Sequence, residues 1–496
     1  MRERELKLAA HRSFVVPDLV DDGLGVLAMQ ELPELTLSST YHDTSDLRLA
    51  RNGVTLRYRT GEEDGPIWTL KLRVPGHDAS ERDEHAFAGG PDTVPIEAAD
   101  LVTAFVRGAP ILPVASLSTR RHRWLLCGED DVALAELDDD DVTVLDGVRV
   151  VARFRELEIE SRGPDAALLR PIADRLRRAG AVLAEPVPKA VRALGPRASA
   201  EPDVAAIRVA AGDPPTVAIR AALAVGVQRV IVHDAPTRQG DAEGLHQMRV
   251  GVRRLRSDLR TFDALLDAAW ANGLREELGW LGDLLGTVRD ADVELGRLQD
   301  MAPDLRDELG LVIARLESRR DQGRRALLDG LRGDRYVQLL DRLVDAVRDP
   351  MVGERAGSRD PDVLPSLLGR PWRRLRAPAH GLGREAGDEA YHQVRIRAKR
   401  LRYASEAIGP ALGRRAAKRV AALGGSAAAL QDLLGEMHDA TVLRADAEAS
   451  LDGDASPRLA YAVGRLVERC DRMIARDRKR YPKAWKRLVR RHRRAS

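Results

Sequence analysis

A chain of 496 residues has room for two to four domains, and its 32% charged and 4% aromatic content favours helix over much of the length. The formal charge of +3 hides a split: residues 1–200 carry 26 Lys+Arg against 34 Asp+Glu, the remainder 54 against 43, so the second part is the one suited to a polyanion. Cys127 and Cys470 lie far apart and offer neither a disulfide framework nor a zinc set. No run approaches the ~20 apolar residues of a membrane span, and the N-terminus lacks a secretory signal, so a cytoplasmic protein without a membrane partner is expected.

The chain opens Met-Arg-Glu-Arg-Glu-Leu-Lys, with Glu3, Glu5 and Lys7 at alternate positions. On a strand these share one face, with the carboxylates about 7 Å apart, a spacing that suits a divalent cation or basic partner better than fold stability. A helix is expected at Val16–Gln30. Alternation recurs at Val54–Thr60, Ile67–Val74, Glu81–Phe87, Ser118–Leu126, Asp131–Leu137, Thr143–Leu145 and Val150–Glu160, between Gly, Pro and Asp clusters. A second helix is expected at Pro164–Ala179. Regularly spaced short strands point to an antiparallel barrel or sandwich. Pro196–Pro215 reads as a linker.

Beyond Thr216 the period becomes 3.6, with Met248, Val252, Leu255, Leu259 and Phe262 forming one apolar helical stripe. A break rich in Pro, Gly and Asp spans Asp349–Pro371. The helical part is duplicated. Leu245–Arg256 (LHQMRVGVRRLR) aligns with Tyr391–Arg402 (YHQVRIRAKRLR) at an offset of 146, and Leu281–Gly286 plus Asp290 with Leu430–Gly435 plus Asp439 at 149. The domains predicted are thus 1–200 and 216–492, the latter in repeats of about 216–348 and 371–492.

Several strands segregate charge: Arg57 with Arg59, Lys71 with Arg73, Arg82 with Glu84, Arg121 with Arg123, Glu136 with Asp138, and a ladder of Glu156, Glu158 and Glu160. A wet outer sheet face explains any one of these. Across six strands a polar interior becomes the better account, with Arg and Lys gripping phosphate oxygens and carboxylates holding a hard cation such as Mg2+. No nucleophilic triad is evident, and phosphoryl transfer needs none.

Glu3-x-Glu5-x-Lys7, Tyr41-His-Asp-Thr-Ser-Asp-Leu-Arg-Leu-Ala, Leu56-Arg-Tyr-Arg59, Trp68-Thr-Leu-Lys71, Arg82-x-Glu84, Glu136-Leu-Asp138, Glu156-Leu-Glu-Ile-Glu160 and Lys189 together resemble a CYTH domain, also called a triphosphate tunnel metalloenzyme. His42 and Ser45 depart from the Tyr and Pro usual there. The resemblance implies an eight-stranded antiparallel tunnel that hydrolyses inorganic triphosphate, thiamine triphosphate or nucleoside triphosphates, or cyclises ATP. It implies Glu3, Glu5, Glu158 and Glu160 as ligands of Mg2+, with Mn2+ as the alternative. Lys7, Arg57, Arg59 and Lys71 would act on the reacting phosphoryl group, while Arg121, Arg123, Lys189 and Arg82 would bind the rest of the substrate.

In the helical part, His246, Arg249, Arg253, Arg256 and Arg260 share a face, and His392, Arg395, Lys399 and Arg402 repeat it. The plainer explanation is a solvated face, or pairing with Asp283, Asp290, Asp432 and Asp439. Retention of the pattern in both repeats favours a polyanion groove. These blocks resemble the CHAD family, two four-helix bundles that bind inorganic polyphosphate. The resemblance places the binding surface at His246, Arg249, Arg253, Arg254 and Arg256 with His392, Arg395, Lys399, Arg400 and Arg402. The basic stretch Arg476–Arg494 is either an extension of that surface or a solvated helix end. The expectation is therefore an α+β multidomain fusion of a metal-dependent inorganic triphosphatase with a polyphosphate-binding domain, associated with polyphosphate granules. The alternatives are a nucleoside triphosphate hydrolase or adenylate cyclase, a non-catalytic polyphosphate scaffold, and nucleic acid as the polyanion. The sequence sets no oligomeric state.

Overall fold

The computed structural model describes residues 2–62, 65–76, 81–163, 167–183, 187–383, 385–451 and 456–495, with only the backbone of residues 2–4. It divides into two compact units, Met1–Asp203 and Val204–Ser496.

The first unit contains strands β1 (Arg2–Ala10), β2 (Ala28–Asp43), β3 (Thr55–Thr60), β4 (Ile67–Arg73), β5 (Glu81–Phe87), β6 (Leu112–Cys127), β7 (Ala133–Asp146), β8 (Arg149–Ser161) and the two-residue β9 (Val182–Leu183). Helices α1 (Arg48–Arg51), α2 (Ile96–Val106), α3 (Leu169–Arg178) and α4 (Lys189–Leu194) complete it. The strand order is β5-β4-β3-β2-β6-β7-β8-β1-β9, all antiparallel. The first residues of β1 also pair with β5, Glu3 opposite Arg82, which brings the eight-strand run back to its start.

Directly opposed residues of an antiparallel pair share a face, so the register shows where the charge points. Lys7 stands opposite Glu158, Glu158 opposite Asp138, and Asp138 opposite Arg123. Asp140 opposes both Glu156 and Arg121; Arg57 opposes Tyr41, and Lys71 opposes Glu84. One face of the sheet is thus charged around its circumference. The opposite face supplies Leu8, Leu126, Leu137, Leu157 and Ile159, which pack under Ile172, Ala173 and Leu176 of α3. Burial there, at about 1.5–3 kcal/mol per large aliphatic side chain, holds the sheet from outside and leaves its inner face for polar work. At one end α4 lays Ala190 against Tyr41, Leu117 and Val142, stoppering the lumen with apolar contacts.

The expected helix over residues 16–30 is absent. Asp21 accepts from the Gly23 amide to cap a three-residue 3-10 turn, Gly25 takes a left-handed φ of 67°, and Asp21 bridges to Val26 before β2 begins at Ala28. Pro17, Gly23 and Gly25 defeat the apolar periodicity. The stretch 131–137, which begins in a 3-10 turn ending at Asp131, and the stretch 143–145 both feed one strand, β7, whose acidic middle, Asp138–Asp141, hides the alternation.

The second unit is helical throughout: α5 (Pro215–Gln239), α6 (Ala242–Thr261), α7 (Ala268–Met301), α8 (Gly310–Arg332), α9 (Asp334–Arg348), α10 (Val363–Ser366), α11 (Gly369–Ala379), α12 (Asp388–Ile408), α13 (Arg414–Ala449) and α14 (Pro457–Ala495). The duplicated blocks fall on α6 with α7 and on α12 with α13. Met248, Val252, Leu255, Leu259 and Phe262 are all fully buried, as the α6 stripe requires. A third matching block is visible once the helices are seen: Arg335-Tyr336 and Arg342-Leu343-Val344 correspond to Arg480-Tyr481 and Arg487-Leu488-Val489. In the first repeat the extended backbone of Gly333 divides this segment into α8 and α9, whereas the second keeps the single 39-residue α14. Tyr336 donates to Asp234 of α5 at 2.6 Å and Tyr481 to the Ala379 carbonyl of α11 at 3.0 Å, so one tyrosine ties each repeat's last helix back to its first helical segment. The Arg476–Arg494 stretch accordingly has a packed side, with Trp485 and His492 stacked on Trp372.

By length and composition α5 could span a membrane, with a mean hydropathy of 1.4 over its most apolar window, contrary to the expectation of no such run. That window is 56% buried within the protein, as in a core helix.

Candidate active site and anion groove

Glu158, midway along β8, is the hub of the tunnel. One of its oxygens accepts Lys7 and, at 2.7 Å, Lys189; the other accepts Arg121 at 3.0 Å. Lys189, the first residue of α4, also reaches Asp140 at 2.8 Å and Glu156 at 3.2 Å. Arg121 grips Asp140 through two hydrogen bonds of 2.7 Å and approaches Asp138 at 2.5 Å. Glu5 joins Lys7 at 3.1 Å.

Burial opposes the charge on Lys7, yet Glu158, Glu5 and Glu156 hold its ammonium well above its ordinary value. Lys189 is raised in the same way, against burial, by Asp140, Glu158 and Glu156. Burial likewise resists ionisation of Glu158, but Lys189, Lys7 and Arg121 keep its carboxyl well below the usual range. Asp138 goes the other way: burial, aided by Asp140, Glu158 and Glu136 against Arg121, lifts it to about 7.

Arg59 donates from Nε to Ser39 at 3.0 Å and from Nη1 to Glu62 at 2.8 Å. Burial and the neighbouring Arg57 nevertheless lower its pKa. The Nε of Arg57 is buried without a hydrogen-bond partner. Burial pushes the Tyr41 hydroxyl up, but Arg57, Arg59 and Lys189 more than offset it and leave it below its ordinary value. Lys71 pairs with Glu84 at 2.9 Å. Going round the strands, β4, β3 and β6 bring Lys71, Arg57, Arg59, Arg121 and Arg123, while β7, β8 and β1 bring most of the carboxylates, with Lys7 and Lys189 set among them. The lumen has a basic half and an acidic half.

Not every residue nominated from the sequence joins the hub. Glu136 binds Arg123 at 3.1 Å and also Arg162, and Arg162 lies 3.6 Å from Glu160, forming a separate group. Arg82 donates to the Gly53 carbonyl. The side chain of Glu3 lies outside the described residues. Sequence reasoning missed Asp140, fully buried between Arg121 and Lys189, together with Glu62 and the electrostatic role of Tyr41. Parity with Glu136 was the available signal: Asp138 and Asp140 point inward while Asp139, one step out of phase, binds Arg155 at 2.7 Å.

Among the described residues no three His, Cys, Asp or Glu side chains are gathered closely enough to hold a metal alone. A hard cation that keeps water and substrate phosphate oxygens in its shell needs only one or two protein carboxylates. Glu5 and Glu160 stand directly opposite each other in register, with Glu136 opposite Glu160. Glu136 is held by Arg123 and Arg162, so the donors that fit such an ion are the opposed carboxylates of Glu5 and Glu160.

In the helical unit α6 packs against α12, and Arg249 and Arg253 of α6 act electrostatically on Arg395 and Lys399 of α12. Burial, then Arg253, Arg395 and Arg249, lower Lys399 to about 7. Burial leads in lowering Arg253 and Arg395 as well, and the Nε of each is buried without a hydrogen-bond partner. His246 and His392 are pushed down by burial and adjacent arginines, and His392 Nδ1 lies 3.1 Å from His438 Nδ1. Arg249 has a carboxylate partner, Asp290, at 2.7 Å. Arg254 and Arg402 turn instead to Glu406, at 3.2 and 2.8 Å. Arg400 lies beside Arg374 and Arg397 on another face of α12.

A family model described as CYTH domain matches residues 1–193, and one described as CHAD domain matches residues 221–448. The chain is a CYTH–CHAD protein. Over 476 residues it is 34% identical to uncharacterized protein Rv2226 of Mycobacterium tuberculosis, covering 89% of this chain and 87% of that one. Among solved structures, PptA from Streptomyces chartreusis is 22% identical with a TM-score of 0.47, covering 55% of this CYTH–CHAD chain and all of its own. The CHAD domain from the plant Ricinus communis is 26% identical with a TM-score of 0.43, covering 53% and 89% respectively.

Proposed function

We propose that the CYTH unit is a divalent-metal-dependent triphosphatase that converts inorganic triphosphate to diphosphate and phosphate, and that the CHAD unit holds polyphosphate. The observation that carries this reading is the division of a buried lumen into a basic half and an acidic half. Pure anion binding gains nothing from Glu5, Glu156, Glu158 and Glu160, whereas phosphoryl transfer needs cations on the oxygens and carboxylates to place a metal.

In this reading Arg57, Arg59 and Lys71 bind the oxygens of the phosphate chain, the partnerless Nε of Arg57 being free to donate. Lys7, Lys189 and Arg121 are fixed by Glu158 and Asp140, so they need little rearrangement to neutralise charge developing on the leaving diphosphate. When bound at Glu5 and Glu160, Mg2+ or Mn2+ supplies charge neutralisation and a more acidic water. Water oxygen bonds to the terminal phosphorus as the bridging P–O bond breaks, the electron pair leaves on the diphosphate, and the water's protons stay on the released phosphate or pass to solvent. Covalent linkage to a polyphosphate-holding unit raises the local concentration of short chains near the tunnel, which suits a protein associated with polyphosphate granules.

Replacing Glu5 by Ala tests the reading. Metal-dependent phosphate release from tripolyphosphate is expected to fall at least ~100-fold with unchanged circular dichroism; full retained activity removes the assignment. Parallel assays with ATP, thiamine triphosphate and long polyphosphate separate the alternatives. A cyclic nucleotide from ATP would move the assignment to a cyclase, and no turnover of any substrate would leave a scaffold.

A further inference from the structure

The two repeats of the helical unit are filled differently where the first helix of each meets the second. In the first repeat α5 and α6 approach backbone to backbone through glycines: a Cβ on Gly226 would fall 2.6 Å from Leu255 Cγ, and one on Gly251 would fall 3.1 Å from the Gly226 carbonyl. In the second repeat the corresponding segment is broken into the short α10 and the 11-residue α11. At the offset of 146, Arg397 and Arg400 of α12 stand where α6 has Gly251 and Arg254. A cavity of about 410 Å³ is left between these elements.

Its lining is strongly cationic. The end of α6 supplies Arg260, α7 supplies Arg275, α11 supplies Arg370 and Arg374, and α12 supplies Arg397 and Arg400. Asp263 is the single carboxylate in the lining, 3.4 Å from Arg275 and 3.4 Å from Arg370. Burial, then the neighbouring guanidiniums, depress Arg260 and Arg400. So many cations around one acid cost stability unless an anion enters. At about 100° per residue, Arg397 and Arg400 point to the side of α12 opposite Arg395 and Lys399, so on α12 the cavity is set apart from the groove, while on α6 it begins at Arg260, at the end of the row that carries Arg249 and Arg253. Ser257, Thr261 and Ser366 add hydroxyls, and Leu265, Leu367 and Pro371 an apolar wall.

We propose that this cavity is a second anion site of the helical unit, taking a compact small molecule with three or more phosphate groups. Cavities of a few hundred Å³ suit small ligands rather than long chains, and guanidinium forks match phosphate oxygens bidentately. The site rests on its own geometry and stands whether or not the tunnel is a triphosphatase. Two sources share the chemistry, inorganic tripolyphosphate and a nucleoside triphosphate.

The test is calorimetric titration of the full chain and of the double variant Arg374→Ala/Arg397→Ala with tripolyphosphate, ATP and long-chain polyphosphate, in EDTA. The double variant is expected to lose one binding equivalent for tripolyphosphate or ATP, with long-chain affinity changed less than ~3-fold and an undiminished melting midpoint. Loss for ATP alone assigns recognition partly to the apolar wall, and equal loss for both assigns it to the phosphates; either result supports the site. Unchanged stoichiometry and affinity for both small anions would overturn it. So would a parallel weakening of long-chain binding, which would make the cavity a stretch of the groove. Tunnel turnover, read separately, bears only on the triphosphatase reading.

Discussion

In the tunnel, Lys7, Arg121 and Lys189 share Glu158 and its neighbouring acids; in the helical groove, Arg253, Arg395 and Lys399 lie close together while the nearby Asp290 and Asp439 also bind Arg249 and Arg297. Paired cations keep their charge and position without a ligand, which suits a short anion that must be aligned with a metal and a water. Crowded cations hold repulsion in reserve, and a polyanion releases it wherever it lies along the row. In the proposed function the same residue types therefore serve a reaction in one unit and retention in the other.

The widest gap between the two regions should appear on truncating one member of each. Glu158→Ala leaves three buried cations short of their shared carboxylate, and urea denaturation is expected to show a loss of about 3–5 kcal/mol. A loss under ~1 kcal/mol would mean the tunnel ions are far better solvated than their burial indicates. Arg395→Ala should have the opposite sign, leaving stability unchanged or raised by up to ~1 kcal/mol. It should also lower polyphosphate affinity about tenfold and reduce the salt slope by about one. Clear destabilisation by this change would erase the contrast.

The smallest effect is a proton count. Free Lys399 titrates near 7, and a bound polyanion raises that value, so at pH 8.5 the complex takes up a proton that the free protein lacks. Calorimetry in buffers of different ionisation enthalpy should show this uptake, absent in Lys399→Met, with affinity falling as pH rises above 7. At pH 8.5 His246 and His392, both lowered, contribute little. Without ligand the linkage predicts stability rising from pH 7 toward the ordinary lysine value, because the unfolded chain binds the extra proton there.

Most of the tunnel was legible because alternation is a local signal: β3, β4, β5 and β8 lie where charge and apolar residues alternate. The 16-residue β2 was not, since its start at Ala28 lies within a segment of helical periodicity that Pro17, Gly23 and Gly25 break. The inward set was readable from parity except at Asp140, hidden in a run of four aspartates. Which cation meets which acid depends on register between strands distant in sequence, and no local pattern carries that. In the helical unit the repeats gave the groove. Its faces were less clear, because Glu406 draws Arg254 and Arg402 aside and lies in the second repeat where the first has Arg260.

The inside-out sheet, ionic within and apolar beneath α3, also guards its own alignment. Were β8 to slide one position past β7, Leu157 and Ile159 would enter the lumen and Glu156 and Glu158 would be thrust under Ile172 and Leu176. A misthreaded hairpin would forfeit solvation on one surface and cohesion on the other at once. The pattern that keeps the lumen ionic thus doubles as proofreading during folding.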